Sequence, residues 1–192
     1  MAHDPYSLPP DLPAPEDDGA ADHLPGLRIP DIVLPSSAGD VALAGLAAGR
    51  LVLYVYPKTG PPDEPIPAGW DELPGARGCT PQSCGFRDHA AELAAFGARV
   101  AGVSAQTLAE QEEFAARNRM PFPIVSDEGF LLAETMSLPT FQFGDARYYR
   151  RLTLVAEEGV VVKAFYPVFP PDRNAVDVLA WLGRNRAATG RS

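Results

Sequence analysis

Strand-like and helix-like patterns alternate along most of this chain, and that alternation is what most limits its possible folds. A continuous apolar run, Leu51–Tyr56, ends at Pro57 as a buried central strand would. Further strand-like runs follow at Val100–Val103, Phe122–Val125, Arg151–Ala156 and Val160–Phe165. The last two are joined through Glu157-Glu158-Gly159 and are expected to form a hairpin. A possible short hairpin also lies around Ile32–Leu43.

Amphipathic segments separate these strands. Thr107 and Glu110 form a capping-box pattern at the start of one helix. Other helices are expected to run from about Thr80 to the break at Gly97, over residues 129–136, and at Asp177–Arg186. The order βαβαβα followed by ββα predicts an α/β fold, with a mixed sheet that helices cover on both faces.

The two cysteines of the chain, Cys79 and Cys84, lie five residues apart at the start of the helix predicted near Thr80. Thr80 is a suitable N-cap, and Pro81 suits a first turn because its missing N–H costs nothing there. The amino end of a helix favours an anion, and nearby cations favour the thiolate form of a cysteine. The pattern therefore indicates a thiol-redox centre, although free cysteines also commonly pack as small buried hydrophobes.

An intact helix keeps the two cysteines too far apart for a disulfide. Five residues of helix place the Cα atoms roughly 7.5 Å apart along the axis, beyond the usual disulfide range of about 4.4–6.8 Å. A bridge between Cys79 and Cys84 therefore requires the first turn to unwind. This geometry favours a reversible bridge, which forms on oxidation and is then reduced. It does not suit a permanent structural disulfide.

The segment Gly-Cys-Thr-x-x-x-Cys-Gly-Phe-Arg-Asp, at residues 78–88, closely resembles the active-site segment of peroxiredoxins of the peroxiredoxin Q, or bacterioferritin comigratory protein, type. The resemblance runs from about residue 27 to about residue 185. It implies a thioredoxin-like fold and a thiol-dependent peroxidase acting on hydrogen peroxide and organic hydroperoxides. It also implies that Cys79 is peroxidatic, that Cys84 resolves the sulfenic acid as an intramolecular disulfide, and that thioredoxin or a similar dithiol reduces the bridge.

The same family carries an Arg-x-Thr/Ser strand whose arginine approaches the thiolate, and Arg151-Leu152-Thr153 resembles it. A guanidinium suits this position because its donor fork can hold a thiolate and a peroxide together. Arg150 is a rival for the role. Strand alternation allows only one of the two adjacent arginines to point at the site, and we favour Arg151.

The chain departs from the family just before the nucleophile. The usual Pro-x-x-x-Thr-x-x-Cys pattern has Glu72 and Ala76 in its proline and threonine places. The threonine hydroxyl is therefore either absent or replaced, with Thr59 and Thr80 as candidates. An inserted proline-rich stretch, residues 59–74, carries Trp70, which either anchors a surface loop or forms an apolar wall for an organic peroxide.

Composition is compatible with one compact domain in a reducing compartment. The 192 residues are 46% apolar, enough for one core, and residues 27–192 are expected to form the thioredoxin-like domain. Residues 1–26 are acidic and rich in proline, so we expect an arm that is disordered or laid over the domain. No apolar run has the length of a membrane span and the amino end lacks a signal-peptide layout, so a cytoplasmic location is expected.

Charge and residue counts limit the partners. A net charge of −9 argues against nucleic acid and anionic membranes. Three scattered histidines and two cysteines give no metal-binding pattern, and no cofactor is expected. A monomer or weak dimer is expected.

Two functions other than a peroxidase are compatible with the same fold. They are a thiol–disulfide oxidoreductase, which would normally use Cys-x-x-Cys, and a non-catalytic redox-sensing module.

Overall fold

A computed structural model describes residues 4–185 and contains a five-stranded central sheet in the order β5-β4-β3-β8-β9. These strands are β3 (Arg50–Val55), β4 (Ala98–Ser104), β5 (Ile124–Ser126), β8 (Leu152–Glu157) and β9 (Val160–Phe165). β3 pairs in parallel with β4, and β4 with β5, whereas β3–β8 and β8–β9 are antiparallel. The predicted mixed sheet is confirmed.

Two small antiparallel pairs accompany the central sheet. They are β1 (Val33–Leu34) with β2 (Val41–Ala42), and β6 (Thr140–Phe143) with β7 (Ala146–Tyr149). The first is the short hairpin predicted around Ile32–Leu43. The second was not predicted from the sequence. It follows Pro139, and the Leu138–Pro139 peptide bond is not among the cis peptide bonds of the described residues.

Six α-helices lie within the described residues. They are α1 (Leu43–Leu46), α2 (Cys79–Asp88), α3 (Ala90–Ala95), α4 (Leu108–Asn118), α5 (Leu131–Met136) and α6 (Asn174–Arg184). The capping box of Thr107 and Glu110 is present at the start of α4. The closing helix starts three residues before the predicted Asp177, after a 3-10 turn at Pro171–Arg173, and the predicted end at Arg186 lies outside the described residues.

The cysteine helix begins within one residue of the predicted start near Thr80, but the predicted N-cap and the predicted carboxyl end were wrong. The helix begins at Cys79, its N-cap is Gly78, and Thr80 makes no capping hydrogen bond. It ends at Asp88, where His89 separates it from α3, instead of continuing to Gly97. The reason at the amino end is the left-handed conformation of Gly78, which glycine adopts without steric cost and which starts the helix one residue earlier.

The two faces of the sheet carry separate cores. Along β3, Leu51 and Leu53 face one cluster, and Val52 and Tyr54 face the other, as strand alternation requires. The first cluster receives α1 and α5, and the second receives α2, α4 and α6. Helices thus cover both faces, and α2 lies against the face that holds Tyr54.

The described part of the amino-terminal arm lies over the domain. Ala21 and Leu24 are buried in the core of the α1/α5 face, and the Gly26 N–H donates to the Val161 carbonyl at 2.8 Å. Further out, the Tyr166 hydroxyl donates to Asp18. Of the two arrangements expected for this segment, the structure has the one laid over the domain. The boundary at residue 26 stays a prediction.

Candidate active site

The geometry of the site starts at Gly78, the residue before α2. Its φ is 99°, and a Cβ added there would lie 2.3 Å from Cγ of Pro171 and 2.8 Å from Cδ2 of Leu8. Both the positive φ and the lack of space require glycine at this position. The result is a helix that begins at Cys79, whose first-turn N–H groups give the amino end a partial positive charge.

Arg151 supplies a full positive charge at the same point. Its Nη2 lies 3.2 Å from Sγ of Cys79, and both residues are only 3% exposed. The same Nη2 donates to the carbonyl oxygens of Gly75, Ala76 and Arg77, at 3.2, 3.2 and 2.9 Å. The guanidinium therefore joins the loop before the helix to the sulfur and places a positive charge beside it.

A buried polar chain holds Arg151 in place. Its Nη1 donates to Oε1 of Gln82, whose Nε2 donates to Oδ1 of Asn174 at 2.9 Å. The Thr153 hydroxyl donates to the same Asn174 oxygen at 2.6 Å. Arg151 comes directly before β8 and Thr153 lies within it two residues later, and both side chains reach the face that carries α2. The network links β8, α2 and α6 around the cysteine.

Cys84 has different surroundings, although it lies in the same helix. It is half-buried, and its Sγ lies 3.8 Å from Oδ1 of Asn118, to which the thiol donates. Burial raises the pKa of the Cys84 thiol, and the nearby Arg87 only partly opposes this rise. Both cysteines are free. The first turn of α2 is intact in this reduced form.

A cavity of about 110 Å³ opens onto Cys79. Its apolar wall comes from the inserted stretch and from the arm: Pro5, Pro65, Ile66, Pro67 and Trp70. Lys58, Glu64 and Arg77 add charge, and Thr59 and Thr80 add hydroxyl groups. The cavity thus offers an apolar side and a polar side to a small molecule that reaches the sulfur.

Trp70 both anchors the inserted stretch and borders the cavity. It is 6% exposed and packs edge-on against Phe143 and Tyr148, with Phe141 also in contact. These three partners belong to the β6–β7 hairpin that the sequence did not reveal. The two interpretations offered for Trp70 are therefore compatible, because the indole packs on the hairpin and lines the cavity at once.

Comparison with known proteins gives the family. The Redoxin family model matches residues 24–179, most of the chain. The chain belongs to the Redoxin family. Chloroplastic peroxiredoxin Q of Arabidopsis thaliana is 30% identical over 158 residues, which cover 82% of this chain and 66% of that protein. The resemblance to the peroxiredoxin Q and bacterioferritin comigratory type that the cysteine segment indicated is confirmed.

Solved structures give the same fold for this redoxin. Peroxidoxin BcpB from Mycobacterium tuberculosis is 27% identical, with a TM-score of 0.68 over 88% of this chain and 98% of that one. A bacterioferritin comigratory protein from Xanthomonas campestris is 26% identical, with a TM-score of 0.65 over 84% and 98%. The predicted thioredoxin-like fold is confirmed. Peroxiredoxins of this type are thiol-dependent peroxidases, and this redoxin is an enzyme of that class.

The structure of the redoxin separates the two neighbouring arginines. Arg151 contacts Cys79, whereas Arg150 is partly exposed and lines a second cavity with Asp18 and Tyr166 on the arm side. The backbone N–H of Arg150 donates to the Pro139 carbonyl, which ties this position to the start of β6. Of the two, only Arg151 lies at the sulfur.

Sequence reasoning missed several residues of this site. Gln82, which fixes Arg151, and Asn174, which fixes Gln82, are buried amides whose partners lie about seventy and ninety residues away in the chain. Pro5 and Leu8 of the arm were also missed. A signal for Gln82 existed, because it lies three residues after Cys79 on the same side of the helix. No local pattern marks the other three.

At the family threonine position, Ala76 presents its carbonyl oxygen 3.6 Å from Sγ of Cys79. Both candidate replacements, Thr59 and Thr80, line the cavity.

Across residues 4–185, no group of three or more His, Cys, Asp and Glu side chains is placed to hold a metal ion. Nor is any helix in that range both long and apolar enough to cross a membrane.

Proposed function

We propose that this peroxidase works through Cys79 as the peroxidatic cysteine, Arg151 as its cationic partner and Cys84 as the resolving cysteine. The observation that carries the proposal is the 3.2 Å contact between Arg151 Nη2 and Cys79 Sγ at the amino end of α2. The helix end and the guanidinium both favour the thiolate, which is the nucleophilic form. The adjoining cavity gives a hydroperoxide access to it.

The first step is nucleophilic attack. The Cys79 thiolate attacks the terminal oxygen of the hydroperoxide, so that a sulfur–oxygen bond forms while the oxygen–oxygen bond breaks. Sulfur is oxidised to a sulfenic acid, and the other oxygen leaves with the electron pair as RO⁻ and takes a proton from water. Arg151 and the first N–H groups of α2 stabilise the charge that moves onto the leaving oxygen.

Resolution follows by disulfide formation. The Cys84 sulfur attacks the sulfenic sulfur of Cys79, and the sulfenic oxygen leaves as water. The two residues are held apart while α2 is intact, so its first turn must unwind. Unwinding displaces Gly78 from its position between Leu8 and Pro171. An external dithiol then reduces the bridge by thiol–disulfide exchange and returns both thiols.

The substrates we propose are hydrogen peroxide and organic hydroperoxides. The apolar wall around the cavity supports an organic group beside the peroxide, and the Xanthomonas campestris relative is described as having alkyl peroxide reduction activity. We propose thioredoxin or a similar dithiol protein as the reductant, in a reducing compartment such as the cytoplasm. We also propose that the protein acts as a monomer or weak dimer.

A peroxide-consumption assay tests this function. The reduced protein is mixed with hydrogen peroxide or tert-butyl hydroperoxide, with and without thioredoxin, thioredoxin reductase and NADPH. We expect one equivalent of peroxide to be consumed without the reducing system and continuous turnover with it. Insulin reduction by the protein is measured in parallel. Insulin reduction without peroxide loss would instead identify a thiol–disulfide oxidoreductase. The absence of both activities would indicate a sensing module.

A further inference from the structure

Asn118, the last residue of α4, lies between that helix and Cys84. Its side chain is only 3% exposed, and its Nδ2 donates to the Phe114 carbonyl, one turn earlier, at 2.8 Å. A carbonyl oxygen can only accept, so this bond fixes the orientation of the Asn118 amide. Oδ1 is therefore the atom that faces Cys84, and it lies 3.8 Å from the sulfur.

This orientation determines what Asn118 can do for the sulfur. An amide oxygen has lone pairs and no hydrogen, so it accepts a hydrogen bond from a thiol but offers none to a thiolate. Within residues 4–185, the Cys84 thiol is the one hydrogen-bond partner of this oxygen. The contact therefore stabilises the protonated form of Cys84 and is lost when the thiol ionises.

A second contact joins α2 and α4 at the same residue. Arg87 follows Cys84 by three residues, so the two side chains are neighbours on the surface of α2. Nη1 of Arg87 donates to the Asn118 carbonyl at 3.0 Å. Both contacts lie beyond the first turn of α2, which is the turn that unwinds in the proposed mechanism. The resolving sulfur therefore stays in contact with Asn118 when only that turn opens.

The charged groups around Cys84 leave it as a thiol. Burial raises the pKa of the Cys84 thiol, and the carboxylate of Asp88 adds to the rise. The guanidinium groups of Arg87 and Arg117 only partly oppose it. Tyr54 of β3 also interacts with this sulfur, but its own burial raises its pKa, so it is neutral and adds no charge at neutral pH. Cys84 is thus held in the form that an amide oxygen can bind.

We propose that Asn118 is a positioning residue for the resolving step: its Oδ1 holds Cys84 as a neutral thiol against α4 and so limits how fast the Cys79 sulfenic acid becomes a disulfide. This inference rests on the proposed function. Before it reacts, Cys84 gives its proton to water and its sulfur leaves Asn118. The contact therefore lengthens the lifetime of the sulfenic acid.

The electrons and atoms of the resolving step balance without a further reagent. The Cys84 thiolate forms the sulfur–sulfur bond as the sulfur–oxygen bond of the sulfenic acid breaks. The Cys84 sulfur is oxidised and the Cys79 sulfur is reduced. The oxygen leaves as hydroxide and takes up a proton to become water. Asn118 gains and loses no proton, so its contribution lies in the position and the protonation of the attacking thiol.

The first test titrates Cys84 alone, in the Cys79→Ser background, where it is the one remaining cysteine of the chain. The ultraviolet absorbance of the thiolate is followed against pH. Asn118→Ala removes the acceptor and should raise the thiolate fraction at neutral pH by about threefold, the effect of one hydrogen bond. Asn118→Asp keeps an acceptor and adds a negative charge, so the thiolate fraction should fall instead.

The second test measures resolution with both cysteines present. Hydrogen peroxide is used at a concentration that makes the first step faster than the second, and samples are quenched with a thiol-alkylating reagent. At pH 7 the disulfide should form at least about twofold faster in Asn118→Ala and at least about twofold more slowly in Asn118→Asp, since a lower thiol pKa also lowers nucleophilicity and offsets part of the change. Sulfenic acid formation at Cys79 should be the same in both variants.

Asn185 provides the matched control. Its Nδ2 donates to the Trp181 carbonyl, four residues earlier at the end of α6, at 2.8 Å, as Asn118 does in α4, but Asn185 is exposed. Asn185→Ala and Asn185→Asp should leave both measurements unchanged. If Asn118→Ala does not fold, Asn118→Asp, which keeps the size of the side chain, decides the question alone.

The opposite signs in the two Asn118 variants are the decisive observation, because a merely structural role would change both in the same direction. Changes of one sign, an unchanged titration, or an equal loss in sulfenic acid formation would overturn the proposal. The titration does not depend on peroxidase activity. If the Asn118 variants shift the titration as expected while the parent protein consumes no peroxide, the proposed function fails and the hold of Asn118 on the Cys84 thiol stands.

Discussion

The two cysteines of α2 share one helix but lie in opposite environments. Cys79 lies at the helix start, 3% exposed and 3.2 Å from a guanidinium nitrogen that a buried amide network holds in place. Cys84 lies one and a half turns further, on another side of the helix, where it donates to Asn118 and where burial raises its pKa. A cation and a helix amino end lie beside Cys79, whereas Cys84 is half-buried beside an amide oxygen, and this contrast supports the different steps that we propose for the two sulfurs.

The largest expected effect comes from replacing each cysteine by serine. Cys79→Ser should abolish peroxide consumption, because a serine hydroxyl at that place is not ionised and is a far weaker nucleophile. Cys84→Ser should still consume one equivalent and then accumulate a sulfenic acid, because it lacks only the resolving thiol. Dimedone labelling followed by mass spectrometry measures the acid. Stoichiometric peroxide consumption by Cys79→Ser would reverse the assignment of the two residues.

The second effect concerns the cation. Arg151→Ala should slow sulfenic acid formation by about 10²–10³-fold, the usual loss when one donor to a developing oxyanion is removed. Arg150→Ala is the matched control and should stay within about twofold, since this side chain lies towards Asp18 and the second cavity. Stopped-flow oxidation of both variants decides between them. A larger loss in Arg150→Ala would contradict the contact between Arg151 and Cys79.

The pH dependence of disulfide formation tests the environment of Cys84. Because burial raises the pKa of Cys84 above its ordinary value, its thiolate fraction is small at neutral pH and grows as pH rises. The disulfide-forming phase should therefore accelerate from pH 6 to pH 9, by up to about tenfold per pH unit. The phase is measured by quenching the oxidised protein with a thiol-alkylating reagent. A rate that falls as pH rises would contradict a neutral resolving thiol.

The smallest effect is on stability. A Cys79–Cys84 bridge breaks the first turn of α2, and the loop that it closes is too short to add much chain-entropy stabilisation. The oxidised protein should melt at least about 2 °C below the reduced one. Its amide hydrogens across residues 78–88 should exchange faster, whereas those of β3 should not. An oxidised form that melts higher, with this segment equally protected, would show that the bridge is a structural staple.

Local patterns predicted much of the fold and part of the site. The capping box of Thr107 and Glu110, the apolar run of β3 and the hairpin of β8 and β9 are encoded by neighbouring residues, and each is present. The sequence also placed the two cysteines in one helix. The resemblance to the family's Arg-x-Thr/Ser strand favoured Arg151 over Arg150, and the structure has Arg151 at the sulfur.

The features that were missed depend on residues far apart in the chain. Thr80 and Pro81 resemble a helix start, but α2 begins after Gly78, whose positive φ and close neighbours Leu8 and Pro171 leave no room for a side chain. The β6–β7 hairpin is short, and it packs against Trp70 from an insertion about seventy residues earlier. Propensity and spacing describe neighbours within a few turns. They contain no information on which distant side chain will fill a given space.

Gly78 has a practical consequence, because it is held between residues 8 and 171 and precedes the reactive sulfur directly. The amino-terminal stretch therefore lies directly against the residue that precedes the sulfur, and we expect changes in it to affect the reaction. An affinity tag, a fusion partner or a protease that disturbs residues near Leu8 would act on the helical turn that opens and closes in every cycle of the proposed mechanism. Kinetic constants from trimmed and untrimmed versions of this protein should accordingly be compared as those of two different enzymes.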